Sequence, residues 1–267
     1  MARAIIRSMR FHVITCWRKN LGDTYLLRTL AQLRRQVAAL NEEGVDNHCI
    51  YVRVDGDSSA VKRIRDDVEQ QVNLCPLPVH TQVVPLGQCG GHTRAWRTLL
   101  DQASRHLGSA VFLEDDLLLD SRAAREMVAL VPGSSCGFLT FYDGNRLPEK
   151  HPDGVVVQPI RGENGHGVWG LIAIKMPCEV VRYLVDADWD SDDVKTFPGY
   201  LLHLANWGNA LNAADVFTSS LLSRSPWPNY SIHVPSLVQH VGASSECFGP
   251  GVGLRGRTAR NWRPSAP

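Results

Sequence analysis

The sequence predicts an α/β fold with a mostly parallel central sheet and helices on both faces. Three observations lead there. Strand-length apolar runs alternate with stretches of helical periodicity through the first half of the chain. One such run, AVFL at 110–113, stops abruptly at Glu114, Asp115 and Asp116, at the strand end where open α/β sheets bind their ligands. With 267 residues and 44% hydrophobic composition, the chain can bury a substantial core.

Taken in order, residues 11–17 (FHVITCW) read as the first strand. The stretch ahead of it is interrupted by Arg7 and Arg10 and has no clear cleavage site, so it reads as a short tail, not a signal peptide. Residues 24–40 set Leu26, Leu27, Leu30, Leu33, Val37 and Leu40 at helical spacing, with Asp23 as N-cap. A second strand at 47–54 ends in the turn signal Asp55-Gly56-Asp57. A charged helix at 58–72 and a short strand at 81–86 follow. Gly90-Gly91 opens a helix through Trp96, Leu99 and Leu100, and the strand that ends in the acids comes next. This alternation implies parallel pairing. No GxGxxG follows the first strand and no GxxxxGK[ST] occurs, which argues against a dinucleotide-binding fold and a P-loop.

The second half changes character. Residues 137–142 (GFLTFY) and 167–175 (GVWGLIAIK) read as strands joined by a long polar, Gly-rich connection. Residues 178–185 read as a short helix, 186–197 as an acidic loop, 200–209 and 213–223 as helices, and 230–234 as a last strand before PSLVQHVGASS.

Seven scattered cysteines without a CxxC pair point to free thiols in a reducing cytoplasm, against a disulfide framework or a zinc knuckle. No stretch approaches the roughly 20 apolar residues of a membrane span. The net charge of +1 hides an asymmetry. Residues 1–19 hold five bases and no acid, and 246–267 hold four arginines against Glu246 alone. The body between them carries 19 bases against 26 acids, a charge of −7. Two basic ends suit a polyanion or nucleotide phosphates; solvated termini are the plainer alternative.

Three adjacent carboxylates repel one another unless a cation neutralises them, and carboxylate oxygens suit magnesium or manganese. The alternative is a turn whose acid caps the next helix. Four pieces taken in order sharpen the choice: VFLEDD (111–116), GHGVWGLIAI (165–174), NAADVFTSSLL (212–222) and HVPSLVQHVG (233–242). Together they resemble a nucleotide-sugar glycosyltransferase of the GT-A fold, of the small bacterial and phage type. The acid cluster is similar to the metal motif of N-acetylglucosaminyltransferases and lipooligosaccharide glycosyltransferases.

The resemblance implies a GT-A-like, Rossmann-like sheet with a smaller mixed region on the acceptor side. It implies one catalytic domain over 1–247, with a nucleotide-binding half at 10–120 and an acceptor half at 121–247, followed by a basic tail at 248–267. It assigns metal ligation to Asp116 and to His240, and contacts with metal-bound water, ribose or donor sugar to Glu114 and Asp115. A neutral imidazole beside carboxylates is a good manganese ligand. His233 is a poorer candidate, lying within the strand before Pro235. Asp215 stands where the family pattern has the base that takes the acceptor proton in an inverting transfer. An N-cap role suits that position too, and Asp192 and Asp193 are alternatives. A retaining enzyme would need no such base.

Glycines around His166, Val168 and Trp169 permit close backbone approach, so Trp169 and Gly170 are donor-site candidates. Thr15, Trp17 and Arg18 at the end of strand one, and Asp55 and Asp57 after strand two, lie where this fold holds the nucleoside. Arg94, with His92, sits at a helix start where phosphate can dock. The expected function is metal-dependent transfer of a sugar, with a UDP-sugar as default donor, to an acceptor hydroxyl. The acceptor is either a hydroxymethylated pyrimidine in phage DNA or a bacterial surface glycan. For DNA, base flipping and stacking by Trp207, Trp227 or Trp262 are expected. Two other readings stand beside it: a silent nucleotide-sugar-binding protein, and a nucleotidyltransferase, whose Gly-rich loop after strand one has only a faint counterpart in TCWRKNLGD.

Overall fold

Alternation along the strands decides how the molecule is layered. In the computed structural model, Phe11 and Val13 belong to one apolar core while Ile14, the next residue on, belongs to another; Val111 and Leu113 likewise part from Ala110 and Phe112. Successive side chains of a strand point to opposite faces, so one sheet separates two cores. The structure describes residues 8–16, 25–43, 47–143, 147, 151–161, 171–208, 213–241, 244–245, 249–250, 259 and 262.

The elements run β1 (Arg10–Cys16), α1 (Tyr25–Glu42), β2 (Cys49–Asp55), α2 (Ser58–Leu74), β3 (His80–Gly87), α3 (His92–Ser104) and β4 (Ala110–Glu114). There follow β5 (Leu117–Leu119), α4 (Ala123–Ala129), β6 (Cys136–Thr140), β7 (Gly154–Pro159) and β8 (Ala173–Met176). The chain continues through α5 (Cys178–Asp186), α6 (Asp192–Lys195), α7 (Pro198–Trp207), α8 (Ala214–Leu222), β9 (Asn229–Val234) and β10 (Val238–His240). The main sheet has the order β3-β2-β1-β4-β8-β6-β9-β7. Its first four strands are parallel, β8 runs against both β4 and β6, β9 is parallel to β6, and β7 runs against β9. Six strands therefore share one direction, and the expected mostly parallel sheet with helices on both faces is observed.

Helices α1, α2 and α4 close one face through Leu30, Leu33, Val37, Ile64 and Met127. On the other, α3, α5, α6 and α8 bring Trp96, Leu99, Val180, Leu184, Val194 and Val216. Each fully buried side chain of this kind contributes about 1.5–3 kcal/mol. Helix α1 is apolar on the sheet side and carries Thr29, Gln32 and Gln36 along a neighbouring stripe. The Gln32 and Gln36 side chains accept from the Leu119 and Ala124 amides at 2.9 Å, and Gln36 donates to the Asp120 carbonyl. The Thr29 hydroxyl accepts from the Leu117 amide at 2.9 Å. This stripe pins the segment just after the acid cluster.

Three differences from the sequence reading have physical causes. Strand β7 falls inside the stretch read as a polar connection; it is an edge strand, with Val155 and Val157 exposed, and so lacks a buried face to signal it. Within the acidic 186–197 segment, Ser191 caps the short helix α6 by accepting from the Val194 amide. Strand β8 begins at Ala173, and the earlier part of the predicted 167–175 strand lies outside the described residues through 170. Asp23 lies outside them as well. Cys49, Cys75, Cys89, Cys136 and Cys178 are free thiols. No described helix is long and apolar enough to cross a membrane.

Candidate metal centre and active site

Because β1 to β4 are parallel, Thr15, Asp55, Gly87 and Glu114 all lie at one end of the sheet. Past Glu114 the chain bends at Asp115 and Asp116 and re-enters extended structure as β5. Strand β10 pairs with β5 in antiparallel fashion and sets His240 opposite Leu117, while the Val241 amide donates to the Asp116 carbonyl at 2.9 Å. Residues separated by more than 120 positions are thereby locked side by side through backbone hydrogen bonds.

The side chains follow. His240 Nε2 lies 3.0 Å from Asp116 Oδ2 and 3.6 Å from Glu114 Oε2. One ligand atom from each of Glu114, Asp116 and His240 lies within 4.8 Å of the others. Asp116 and His240 are each 4% exposed. Neighbouring ligands on an octahedral ion with bonds of ~2.1 Å are about 3 Å apart, so the spacing fits a small divalent cation. Two carboxylates with one imidazole form a donor set that manganese accepts readily. Asp116 Oδ1, buried, has no hydrogen-bond partner among the described residues, as suits an oxygen facing a cation.

Glu114, expected to contact metal-bound water, ribose or donor sugar, lies within reach of the same candidate cation position as Asp116 and His240. Asp115 lies in the bend after β4, and its Oδ2 accepts from the Thr15 hydroxyl on β1. Both are buried, so Thr15 and Asp115 tie the tips of β1 and β4 together. Asp55 Oδ1 accepts from the Cys89 amide at 2.8 Å, linking the ends of β2 and β3. Asp57 serves as the N-cap of α2, accepting from the Ala60 amide at 2.8 Å and the Ser59 hydroxyl at 2.6 Å. Arg94 is exposed in the first turn of α3, which Gly91 opens at φ 142°, a conformation that favours glycine.

Asp215 sits in the first turn of α8, half-buried, with its Oδ1 accepting from the Val216 amide at 2.9 Å. Thr93, in the first turn of α3, accepts from the Ala213 amide at 2.9 Å and places the start of α8 beside the start of α3. Asp215 therefore lies at the same end of the sheet as the acid cluster. Asp193 pairs with Arg224 at 2.5 Å. His233 has its Nδ1 at 2.7 Å from the Pro235 carbonyl and packs on Phe141, away from a ligand role. Trp227 packs edge-on against Tyr183, and Trp262 lies against the apolar core. Trp17, Arg18, Trp169 and Gly170 lie outside the described residues, as does the side chain of Trp207.

Sequence reasoning missed the polar stripe of α1 and a buried histidine, His203, on α7. Both left a signal: Thr29, Gln32 and Gln36 recur at helical spacing beside the leucines, and His203 interrupts the apolar run YLLHLANW.

No family model matches the chain, and no curated protein matches it in sequence. Among solved structures it is similar to a nucleoside-diphosphate-sugar pyrophosphorylase from Vibrio cholerae RC9, with 11% identity over 86% of this chain and 94% of that one, at a TM-score of 0.42. It is similar to the UTP-bound UGPase from Acinetobacter baumannii, with 9% identity over 87% of this chain and 88% of that one, also at 0.42. A cytidylyltransferase from Leptospira borgpetersenii serovar Hardjo-bovis shares 16% identity over 68% of this chain and 64% of its own, at 0.35. Similarity at this level assigns no activity to the present chain.

Proposed function

We propose that the chain is a metal-dependent glycosyltransferase of GT-A type that moves a sugar from a nucleotide-sugar donor, a UDP-sugar by default, to an acceptor hydroxyl with inversion. The observation that carries this reading is the convergence of Glu114, Asp116 and His240 at the carboxyl end of the parallel strands. Residues 1–247 act as one catalytic domain in this proposal. His240, from the acceptor half (121–247), completes a ligand group whose other members belong to the nucleotide half (10–120).

A divalent cation held there supplies Lewis-acid neutralisation of the leaving diphosphate. The chain's own residues do the rest. Thr15, Asp55 and Asp115 line the strand ends that receive the nucleoside, and Arg94 offers its guanidinium to phosphate. Asp215 accepts the proton of the attacking hydroxyl. The freed oxygen pair bonds the anomeric carbon, and the carbon–oxygen bond to the diphosphate breaks with its electron pair leaving on the nucleotide.

The test is release of UDP from UDP-glucose, UDP-galactose and UDP-N-acetylglucosamine, with and without manganese, for wild type and Asp116→Ala. The expected result is manganese-dependent release from one donor, lowered about 10²-fold or more by the substitution. Release of pyrophosphate from UTP and a sugar phosphate would replace this reading with nucleotidyl transfer. Donor binding without release would leave a silent binding protein. Adding hydroxymethylated DNA or a glycan then separates the two acceptor classes.

A further inference from the structure

Helix α7 carries one histidine, His203, and it is buried at 2% exposure. Neither of its ring nitrogens has a hydrogen-bond partner among the described residues. A neutral imidazole always keeps one N–H, and a buried donor without an acceptor is costly, so a state of the protein that supplies an acceptor is favoured by that pairing. Helix α7 packs against α6 and α8, and the Tyr200 and Phe217 rings meet edge to face at 5.5 Å between α7 and α8. The charged residues of those helices are Asp192, Asp193 and Lys195 on α6 and Asp215 on α8. Of these, Asp215 is the charge that acts on His203: burial lowers the imidazole's pKa, and the Asp215 carboxylate pulls it back upward.

We propose that His203 is a positioning residue for Asp215, its imidazole N–H turning to the carboxylate when the acceptor occupies the site and orienting the remaining oxygen toward the acceptor hydroxyl. The role rests on the reading of Asp215 as the base. The abstracted proton ends on Asp215, and His203 keeps its own. Buried from solvent, His203 acts on the reaction through Asp215 in this proposal. The pairing offsets the polar cost that a histidine carries within an apolar helix, where leucine would pack without it.

Two measurements decide it. The first is the ¹⁵N titration of His203 in wild type and in Asp215→Asn. Loss of the carboxylate moves the titration to lower pH; identical curves overturn the coupling. The second is manganese-dependent UDP release, with water as acceptor, for His203→Phe and His203→Gln. The Phe variant is expected to lose roughly ten- to a hundredfold in kcat with the donor KM unchanged, and the Gln variant, whose amide also donates, to recover most of it. Wild-type kcat in His203→Phe overturns the proposal. If that variant does not fold, the titration in Asp215→Asn stands as the deciding result. Undiminished release in Asp215→Asn overturns the base reading instead, while the titration still reads whether the two residues are coupled.

Discussion

Two strand histidines, His240 and His12, are almost equally buried and live in opposite electrical worlds. His240 ends β10 with Asp116 and Glu114 against its Nε2. His12, in β1, lies between the rings of Tyr51 at 5.4 Å and Phe112 at 5.3 Å, and its Nδ1 accepts from Arg53 Nε at 3.1 Å. One imidazole sits among anions at a sheet end, where a cation would be welcome. The other sits on the sheet's α3-facing side, already facing a cation, and so must stay neutral. Burial alone says nothing about function; the sign of the neighbouring charge does.

The comparison breaks most sharply on His240→Ala. In chelator the variant should melt close to wild type, because the space the imidazole vacates admits water to its carboxylate neighbours. With manganese, wild type should gain thermal stability and the variant should not, since a lost ligand lowers affinity by about 10²-fold. A variant that keeps the full manganese-induced rise would remove His240 from the metal group.

The strands and helices around this site were largely legible, because β1, β2, β4, α1 and α3 bury faces whose periodicity is plain in the sequence. The acid cluster Glu114–Asp116 was legible as a candidate cation site as well, since carboxylates crowded at the end of a buried strand repel one another until a cation or solvent relieves them; which two of the three acids converge was not. What sequence could not display is pairing. That β10 would lie on β5, bringing His240 to Asp116, depends on backbone hydrogen bonds across more than 100 residues. The antiparallel insertion of β8 between β4 and β6 is likewise a choice of topology, made by packing and not by local pattern. Asp57 was open between two roles, and in the structure its carboxylate caps α2.

His12→Gln sharpens the other side of the comparison. Burial first, then the charges of Arg53, His106 and Arg10, hold the His12 pKa well below its usual value. The unfolded chain therefore binds the proton that the folded chain refuses, and stability is complete above about pH 6.5 and falls as the pH drops toward the depressed value. His106 and His203 are shifted in the same direction, each chiefly by burial. One histidine held neutral contributes a slope of about 1.4 kcal/mol per pH unit across that window. Glutamine keeps an acceptor for Arg53 but does not titrate. Urea denaturation between pH 7.5 and 5 should thus show a shallower loss in the variant; an unchanged slope would mean that His12 protonates without penalty.

The smallest expected effect concerns Lys175, a buried cation on β8 that, like Arg53, meets no carboxylate among the described residues. Its Nζ donates to the Val128 carbonyl at 2.9 Å and to the Leu130 carbonyl, closing the end of α4. Burial lowers its pKa to about 8, from an ordinary value of 10.5. The sign is opposite in consequence to a surface lysine. Between these two values the unfolded chain holds the proton and the folded chain releases it, so stability rises with pH from about 8 to 10.5. Carbonyl partners favour the charged form and so narrow that window, while the slope within it is at most about 1.4 kcal/mol per pH unit. Subtracting the denaturation curve of Lys175→Met from that of wild type, at pH 7.5 and 9.5, cancels the other groups that titrate in this range. A wild-type advantage that grows with pH would show that the interior of this sheet accepts cations only by weakening them, whereas its carboxyl end gathers anions to hold one. A difference that stays constant would mean that Lys175 keeps its proton throughout.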